Sequence, residues 1–304
     1  MSELASPAAI VEALAGDGYL ADDELATAIF LALRLGRPLL LEGEAGVGKT
    51  EAARALARVT GGPLIRLQCY EGIDVSHALY EWDYPRQLLH LRSAEAAAVA
   101  RPADALESEL YDERFLIRRP LLRALGADPG TPAPVLLIDE IDRADDEFEA
   151  FLLEVLSDHA VTIPELGTIT AAVQPIVILT SNRTRDLHDA LKRRCIHHWV
   201  DHPDPEREAA IVASRAPELP ADLVRRTVEL VAELRSRPLY KPPGVAETID
   251  WARAFGELAM GIDATSTRLT LGAVLKYHED RDRVVEAGLD DLLGAGPSSS
   301  SSST

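Results

Sequence analysis

The stretch PLLLEGEAGVGKTEAARALARV, residues 38–59, contains the pattern that decides the fold. A short apolar run comes first, a glycine-rich loop follows, and an alanine-rich segment of high helix propensity comes last. The loop, GEAGVGKT at 43–50, has the spacing Gly, four residues, Gly-Lys-Thr that is typical of a phosphate-binding P-loop. Such glycines let backbone N–H groups face phosphate, and the helix N-terminus adds positive potential.

The P-loop predicts which residues bind a nucleoside triphosphate. Lys49 is expected to reach the β- and γ-phosphates, and the Thr50 hydroxyl is expected to bind Mg²⁺. The alternative, a glycine turn with an incidental lysine, leaves the strand before the loop and the helix after it unexplained. The predicted nucleotide-binding residues are Gly43, Glu44, Ala45, Gly46, Val47, Gly48, Lys49, Thr50 and Glu51.

A second motif, LLIDEIDRA at 136–144, places two acids at the end of another apolar run. Asp139 ends the predicted strand, so with Thr50 it is a predicted magnesium ligand, directly or through water. Glu140 follows at once, and a carboxylate there can polarise an attacking water, as hydrolysis requires. The alternative is a pair of solvated acids at a strand end.

A third motif, TSN at 180–182, ends the fourth predicted strand of the chain. Open α/β sheets bind ligands at the edge where such strands end. The Asn182 amide is therefore a candidate for hydrogen bonds to both the γ-phosphate and the attacking water. On its own this signal is weak, because asparagine after a strand is commonly a turn residue.

The order of elements predicts an α/β fold followed by an all-helical region. Strands alternate with helices over residues 38–203, which indicates a five-stranded, mostly parallel sheet with helices on both faces. Asp204 followed by Pro205 is a helix-start signal, and helical patterns follow, including one over 270–287. The predicted domains are a nucleotide-binding domain at 1–203 with an insert at about 71–125, a helical domain at 204–292, and a disordered serine-rich tail at 293–304.

The composition argues against several classes of protein. The formal net charge of −19 disfavours a nucleic-acid partner, because an acidic chain repels phosphate backbones. Two cysteines give no disulfide framework and suggest a reducing compartment. The N-terminus lacks a basic region of the signal-peptide type, and no apolar stretch is long enough to span a membrane. We therefore expect a cytoplasmic protein.

The motifs also carry a resemblance to a known family. GEAGVGKT, LLIDEIDRA, ILTSN and the arginines of DALKRRC occur in the order used by AAA+ ATPases, and DEIDRA resembles the MoxR-type, dynein-related branch. The segments IRLQCYEGID, LYEWDYPRQLL, DDEFEAFLLEVLSD and ILTSNRTRDLHDALKRRC are similar to the accessory ATPases of molybdenum-containing carbon monoxide dehydrogenases. The resemblance covers roughly residues 25–260. It implies an AAA+ fold with a helical lid, and ATP and Mg²⁺ as cofactors.

The resemblance further implies an assembly. Members of this family form rings, usually hexamers, with ATP between neighbouring subunits, and an arginine before the fifth strand reaches into the neighbour's site. Arg194 matches that position, with Arg193 as the second candidate; a solvated helix end is the alternative for both. Relatives commonly work with a von Willebrand factor A domain protein and help to activate a client metalloenzyme.

The lid departs from the family pattern. Many MoxR-like proteins have an arginine early in the lid that touches ATP, within a Ser-Pro-Arg or Ser-Thr-Arg phrase. The corresponding segment here, GVAETID at 244–250, has none, and Arg253 is the possible substitute. A nucleotide-dependent switch or scaffold with negligible hydrolysis is therefore an alternative to an ATPase. A DNA-associated motor and a P-loop phosphotransferase are further alternatives.

Aromatic residues and a predicted hairpin are candidates for gripping a client protein. Alternation in LYEWDYPRQLL predicts Tyr80, Trp82 and Tyr84 on one face of an extended segment, where they either grip a client or pack within the insert. VTIPELGTITA, at 161–171, is expected to be a hairpin and is the other candidate for a client-gripping loop.

RRCIHHWVDH, at 193–202, raises the possibility of a metal site. On a strand, Cys195 and His197 share one face and His198 points to the other, so only a bend would bring all three to one metal. The basic residues beside Cys195 are expected to lower the pKa of its thiol. No residue that would orient a Cys/His catalytic pair is evident.

Overall fold

The computed structural model describes residues 4–96, 109–259 and 261–294 of the 304-residue chain. Residues 97–108 of the predicted insert and residues 295–304 of the predicted tail lie outside the described residues. The chain divides into two compact units, and the predicted domain boundary at residue 203 stays a prediction. The first unit comprises Met1–Asp17, Ala21–Glu42 and Thr50–Trp199, and the second comprises Gly18–Leu20, Gly43–Lys49 and Val200–Thr304.

A five-stranded parallel sheet forms the centre of the first unit. Its strands are β1 (Leu39–Glu42), β2 (Leu64–Gln68), β5 (Val135–Asp139), β8 (Ile176–Ser181) and β9 (Ile196–Trp199). Their order is β2-β5-β8-β1-β9, and every pair is parallel. Every residue of β1 and β5 is buried, as expected for interior strands covered on both faces. The predicted α/β fold class is confirmed.

The register of this sheet defines two edges. Glu42 pairs with Ser181, and Ile138 pairs with Leu179, so the last residues of β1, β5 and β8 lie together. We call this the carboxyl edge. At the other end of the strands, Leu39 pairs with Ile196, and the residues that precede the strands form the amino edge. Candidate residues that follow a strand therefore lie away from those that precede one.

Helices of the first unit begin and end at residues suited to those positions. In α2, the Asp22 side chain accepts a hydrogen bond from the Leu25 N–H at 2.7 Å, and Gly36 ends the helix in a left-handed conformation. The helices of this unit are α1 (Pro7–Gly16), α2 (Asp23–Leu35), α3 (Lys49–Thr60), α4 (Val75–Ala78), α5 (Tyr84–Ala96), α6 (Pro120–Leu125), α7 (Asp146–Asp158) and α8 (Asp189–Arg194). No helix in the described ranges is long and apolar enough to cross a membrane.

The predicted single extended face of Tyr80, Trp82 and Tyr84 is wrong. Strand β3 (Tyr80–Trp82) pairs with β4 (Leu116–Arg118), but α5 begins at Tyr84 because the Asp83 carboxylate accepts from the Arg86 N–H at 3.0 Å. Trp82 is 6% exposed and packs edge-on against neighbouring rings, whereas Tyr84 is 65% exposed. The expected hairpin is present as β6 (Ala160–Ile163) and β7 (Gly167–Thr170).

The described part of the second unit contains helices and no strand. The helices are α9 (Pro205–Arg215), α10 (Ala221–Ser236), α11 (Val245–Leu258), α12 (Ala264–Val274), α13 (His278–Glu286) and α14 (Leu289–Leu292). Trp251 and Phe255 are fully buried in its core, with ring centroids 5.2 Å apart. The Trp251 Nε1–H donates to Thr270 Oγ1 at 2.8 Å, which satisfies the polar atom of the buried indole.

The helical pattern over 270–287 is interrupted in the structure. α12 ends at Val274 and α13 begins at His278. Asp280, in the first turn of α13, is 1% exposed and accepts hydrogen bonds from the backbone N–H groups of Tyr240 and Lys241. These hydrogen bonds tie the first turn of α13 to a loop nearly forty residues away.

Candidate nucleotide-binding site

The backbone of the P-loop requires glycine at two positions. Gly46 has φ of +84°, in the left-handed region, and a Cβ there would lie 3.1 Å from the Gly244 Cα. A Cβ at Gly43 would lie only 2.3 Å from the Val200 carbonyl oxygen. The Gly46 carbonyl also accepts a hydrogen bond from the Val245 N–H at 3.1 Å, so the loop is tied to the first residue of α11.

The Lys49 ammonium lies inside the curve of this loop. It donates to the Gly43 carbonyl at 2.8 Å and to the Glu44 carbonyl at 2.6 Å, and the residue is 6% exposed. These two carbonyls hold the ammonium group at the P-loop. Glu51, at the end of the predicted set, pairs instead with Arg58 at 3.0 Å on the surface of α3.

Asp139 is the centre of a hydrogen-bond cluster at the carboxyl edge. Its Oδ1 accepts from the hydroxyls of Thr50 at 3.0 Å and Thr180 at 2.5 Å, and its Oδ2 accepts from Arg66 Nε at 2.9 Å. The Asp139 side chain is buried, so these partners compensate for the loss of water around the carboxylate. The hydroxyl and carboxylate oxygens of Thr50 and Asp139 are the donor type that Mg²⁺ prefers, and their proximity fits such an ion.

Glu140 leaves the strand in an unusual conformation. Its φ and ψ are 55° and 50°, in the left-handed region, which costs about 1–3 kcal/mol for a residue other than glycine. Thr180 stabilises this turn by accepting the Glu140 N–H at 2.9 Å. The Glu140 carboxylate is one-third exposed and pairs with Arg143 at 3.1 Å. It therefore lies beside Asp139 but is accessible to water.

Asn182 is the first residue after β8 and is partly buried. Because Ser181 pairs with Glu42, Asn182 emerges at the carboxyl edge, beside the end of β1. The loop that follows is fixed by Asp142, whose Oδ2 accepts from the Thr184 N–H at 2.8 Å and from its hydroxyl at 2.7 Å. The structure therefore brings Asn182 to the same edge as Asp139.

The two arginines Arg193 and Arg194 lie at the amino edge. They end α8, immediately before β9, and both are exposed. Arg194 Nη1 donates to the Leu153 carbonyl at 2.9 Å and to Ser157 Oγ at 2.6 Å, both on α7. Within one chain these arginines are therefore separated from the carboxyl edge by the length of the sheet strands.

The histidines after Arg194 do not converge on a metal. His197 Nε2 lies 2.8 Å from Glu42 Oε2, and His202 Nε2 lies 3.2 Å from Glu44 Oε2. No group of three or more potential metal ligands is found among the residues that the structure describes.

The expected lowering of the Cys195 thiol pKa is wrong. Burial raises this pKa to about 12, against a smaller opposing effect of the nearby Arg37 guanidinium. A thiol that stays protonated near neutral pH is a poor nucleophile, so the cysteine is best explained as a small core residue.

The start of α11 is held by a buried ion pair. Glu208 is 1% exposed and receives both terminal nitrogens of Arg235, at 2.6 and 2.9 Å, and the Thr248 hydroxyl at 2.6 Å. Arg253, considered as a substitute for the missing lid arginine, donates instead to the Arg215 carbonyl at 2.7 Å. Its guanidinium is therefore engaged by the last residue of α9.

Comparisons with known proteins agree with this arrangement. Residues 38–195, more than half of the chain, match the family model of the AAA domain, dynein-related subfamily. The chain belongs to this family. It is also similar to midasin from Giardia intestinalis, with 46% identity over 48 residues. That alignment covers 16% of this chain and 1% of midasin, so the chain spans only a small part of this relative.

Two residues at the carboxyl edge were not predicted from the sequence. Thr180 links Asp139 to the Glu140 backbone, and Arg66 reaches Asp139 from the neighbouring strand β2. A polar residue at the buried end of an apolar strand was the available signal for Thr180, which is 1% exposed. Arg66 carried no such signal, because alternation in an edge strand normally places an arginine in solvent.

Proposed function

We propose that this AAA domain protein is a Mg²⁺-dependent ATPase whose active sites are shared between subunits of a ring, most simply a hexamer. The proposal of hydrolysis is supported mainly by a chain of hydrogen bonds. The chain runs from Thr50 through Asp139 and Thr180 to the Glu140 backbone. These hydrogen bonds hold the turn at Glu140 in a fixed position beside the oxygen atoms of Thr50 and Asp139. Fixed polar groups of this kind lower the barrier to phosphoryl transfer because they need no reorganisation.

Each residue has a distinct role in this proposal. Backbone N–H groups of the P-loop and Lys49 bind the phosphates, and Thr50 and Asp139 hold Mg²⁺, which neutralises phosphate charge when bound. Glu140 orients and polarises the attacking water and accepts its proton. Asn182 donates a hydrogen bond to the γ-phosphate and keeps the water in line.

The amino edge supplies the missing cation in the proposed ring. Charge that develops on the γ-phosphoryl oxygens needs a further cation, and the exposed arginines of one chain lie far from its own carboxyl edge. We propose that Arg194, with Arg193 as the alternative, enters the site of the next subunit. Arginines delivered in this way raise the rates of other nucleotidases by about 10³–10⁵-fold.

The rate of ATP hydrolysis per subunit, measured against protein concentration with Mg²⁺, tests this function. Wild type is expected to become faster per subunit as concentration rises, because assembly completes the site, whereas Arg194→Ala stays slow throughout. Glu140→Gln serves as the blank that folds and binds ATP without hydrolysing it. A wild-type rate equal to that blank at every concentration would contradict the ATPase proposal.

That outcome would favour a nucleotide-dependent switch or scaffold. The observation behind this second candidate is the position of Arg253, which is bound to the Arg215 carbonyl and lies 3.6 Å from Glu218. A lid without a cation on the nucleotide lacks one source of coupling between ATP and lid movement. Such a protein would bind ATP with little turnover.

We further propose that the chain acts in the cytoplasm with a von Willebrand factor A domain protein to activate a client metalloenzyme. This proposal is supported by the resemblance to accessory ATPases of molybdenum-containing carbon monoxide dehydrogenases. In cells that carry only Glu140→Gln, the client is expected to accumulate with incomplete metal content and low activity. A fully active, metal-replete client in those cells would contradict this role.

A further inference from the structure

The short helix α8 raises the question of what fixes its two arginines. It has only six residues, Asp189–Arg194, and so short a helix has little stability of its own. Contacts from elsewhere in the chain must therefore set its position. These contacts act at three places on α8: its start, its side and its end.

The start of α8 is fixed by Glu149 of α7. His188 is the N-terminal cap of α8, and its ring Nδ1 accepts from the Ala190 N–H at 3.2 Å. The His188 N–H donates to Glu149 Oε2 at 2.9 Å. Glu149 is fully buried, and its other oxygen binds the Arg185 guanidinium. A buried, ion-paired carboxylate therefore holds the first turn of the helix.

The side of α8 lies along one row of α7. Glu149, Leu153 and Ser157 are spaced four residues apart, so they follow one another on the same face of that helix. The last two bind the Arg194 side chain through Nη1, at 2.9 Å to the Leu153 carbonyl and 2.6 Å to the Ser157 hydroxyl. The guanidinium is thereby anchored by one nitrogen, and Nε and Nη2 remain as further donors.

The end of α8 is held by Arg37. Its Nε donates to the Arg194 carbonyl at 2.9 Å, and its Nη2 donates to the Arg193 carbonyl. The last carbonyls of a helix have no partners within the helix and carry partial negative charge, so a guanidinium is well matched to them. Arg37 thus binds the backbone of both candidate arginines and leaves their side chains exposed.

The turn that carries Arg37 is itself held in place. The Arg37 N–H donates to the Ala32 carbonyl at 3.1 Å, and the next carbonyl, that of Pro38, accepts from the Ile196 N–H at 2.8 Å. The preceding carbonyl, that of Gly36, accepts from Gln174 Nε2 at 2.9 Å. Three consecutive residues, 36–38, are therefore hydrogen-bonded to a loop, a helix and a strand in turn. These bonds fix the backbone from which the Arg37 guanidinium extends.

We propose that Arg37 is a positioning residue for hydrolysis in the neighbouring subunit. It fixes the backbone of Arg193 and Arg194, and so determines where the guanidinium that completes the next site stands. The inference rests on the proposed shared site. A displacement of about 1 Å in a group that contacts the reacting phosphate can cost about 100-fold in rate. Arg37 acts without touching the nucleotide.

The first test compares Arg37→Gln with Arg34→Gln in ATP hydrolysis. Arg34 is a matched control because it is an exposed arginine three residues earlier, with its guanidinium 5.9 Å from the Phe30 ring centroid and on α2. Arg37→Gln is expected to lower the rate about tenfold or more, and Arg34→Gln to change it less than about twofold. Equal rates for the two variants would overturn the inference, and equal thermal midpoints would verify that both chains are folded.

The second test asks whether Arg37 acts through the arginines. The residual single-turnover rate of the chain with Arg193→Ala and Arg194→Ala, measured at high enzyme concentration, is the baseline. Adding Arg37→Gln to that chain is expected to cause no further loss of this residual rate, because nothing remains to be positioned. A further loss of the full single-variant size would show that Arg37 acts by another route, and would overturn the inference.

The third test uses mixtures of two inactive chains, one with Glu140→Gln and one lacking both arginines. The first donates arginines and the second offers an intact carboxyl edge. Arg37→Gln is expected to lower the recovered rate when placed in the donor chain, and not when placed in the other. An equal loss of the recovered rate from both placements would overturn the inference about Arg37 and would leave the proposed shared site intact. If the parent mixture recovers no activity, the shared site itself fails, and the inference fails with it.

Discussion

The two edges of the sheet differ in how they are built. At the carboxyl edge, Asp139, Glu140 and Asn182 directly end or follow buried strands, and short motifs place them there. At the amino edge, the arginines depend on Arg37, which is 157 residues away from Arg194 along the chain. One edge is specified locally, and the other is assembled from distant segments.

The edges also differ in burial. Asp139 is 3% exposed and Thr180 is 1% exposed, and both have hydrogen-bond partners within their own chain. Arg193 and Arg194 are exposed at the end of a short helix. This difference suggests that the carboxyl edge is organised before assembly, whereas the amino edge presents cations for another molecule.

The largest effect is expected from Glu140→Gln at the carboxyl edge. Loss of the proton acceptor should reduce turnover by about 10³-fold, within the range for general bases, and should leave ATP binding intact. Glu147→Gln is the matched control, an exposed acid in the first turn of α7. Single-turnover hydrolysis and equilibrium binding of labelled ATP provide the two readouts. A Glu140→Gln turnover within about tenfold of wild type would contradict the assigned role.

Thr180→Val should give an intermediate effect at the same edge. The substitution keeps the shape of the side chain but removes the hydroxyl that links Asp139 to the Glu140 N–H. Residues that orient a metal ligand typically contribute about 10–100-fold to metal affinity or activity. We therefore expect the Mg²⁺ concentration for half-maximal rate to rise by that factor.

Thr184→Val is the control for Thr180→Val. Its hydroxyl binds Asp142 rather than Asp139, although it lies in the loop after the same strand. The Mg²⁺ requirement of this variant should stay close to that of wild type. A similar rise in both variants would mean that the effect comes from the loop and not from the ligand.

The smallest effect concerns the two cysteines, one near each edge. Burial raises the pKa of Cys69 and of Cys195 to about 12, so both thiols are protonated at pH 8. Alkylation at pH 8 should therefore be much slower in the folded chain than in denaturant. In dilute, unassembled protein, Mg²⁺ with ATP should slow the labelling of Cys69 through local opening of the carboxyl edge severalfold, and should slow the labelling of Cys195 less. Equal protection of both thiols would weaken the distinction between the edges.

The same pKa shifts determine whether the stability of the folded chain rises or falls with pH. Because the pKa of each thiol is raised on folding, the unfolded chain loses these protons first as pH increases. The stability that the protonated thiols contribute is present below about pH 8.5 and is lost as the pH rises towards 12. Denaturant unfolding at pH 8 and pH 10 should show a lower midpoint at pH 10. Substitution of both cysteines by alanine should reduce that difference.

The carboxyl edge could be predicted because its signals are local. A buried strand, a glycine spacing and an acid at the strand end each occupy a few consecutive residues, and parallel pairing then brings the ends together. Asp139, Glu140 and Asn182 are therefore expected at one edge, and the structure has them there. Sequence alone does not indicate the roles of Thr180 and Arg66, because their contacts with Asp139 join residues 41 and 73 positions apart.

The structure departs from these patterns where a second local signal or a tertiary contact overrides them. Alternating aromatics suggested an extended segment, but Asp83 caps a helix that begins at Tyr84. A continuous helical pattern over 270–287 is broken between Val274 and His278, and Asp280 ties the first turn of the second helix to a distant loop. Basic neighbours in sequence suggested a low pKa for Cys195, but burial dominates its environment. Asp83 was a local signal that alternation outweighed, whereas the loop that Asp280 binds and the burial of Cys195 depend on residues outside the local stretch.

The central claim is that the amino edge of one chain completes the carboxyl edge of the next. The most direct measurement is the ATPase rate of a one-to-one mixture of Glu140→Gln with the chain that carries Arg193→Ala and Arg194→Ala, each inactive alone. Random head-to-tail assembly joins an intact site to intact arginines at about one interface in four, so the account predicts about a quarter of the wild-type rate. A mixture that stays as inactive as its components would contradict it.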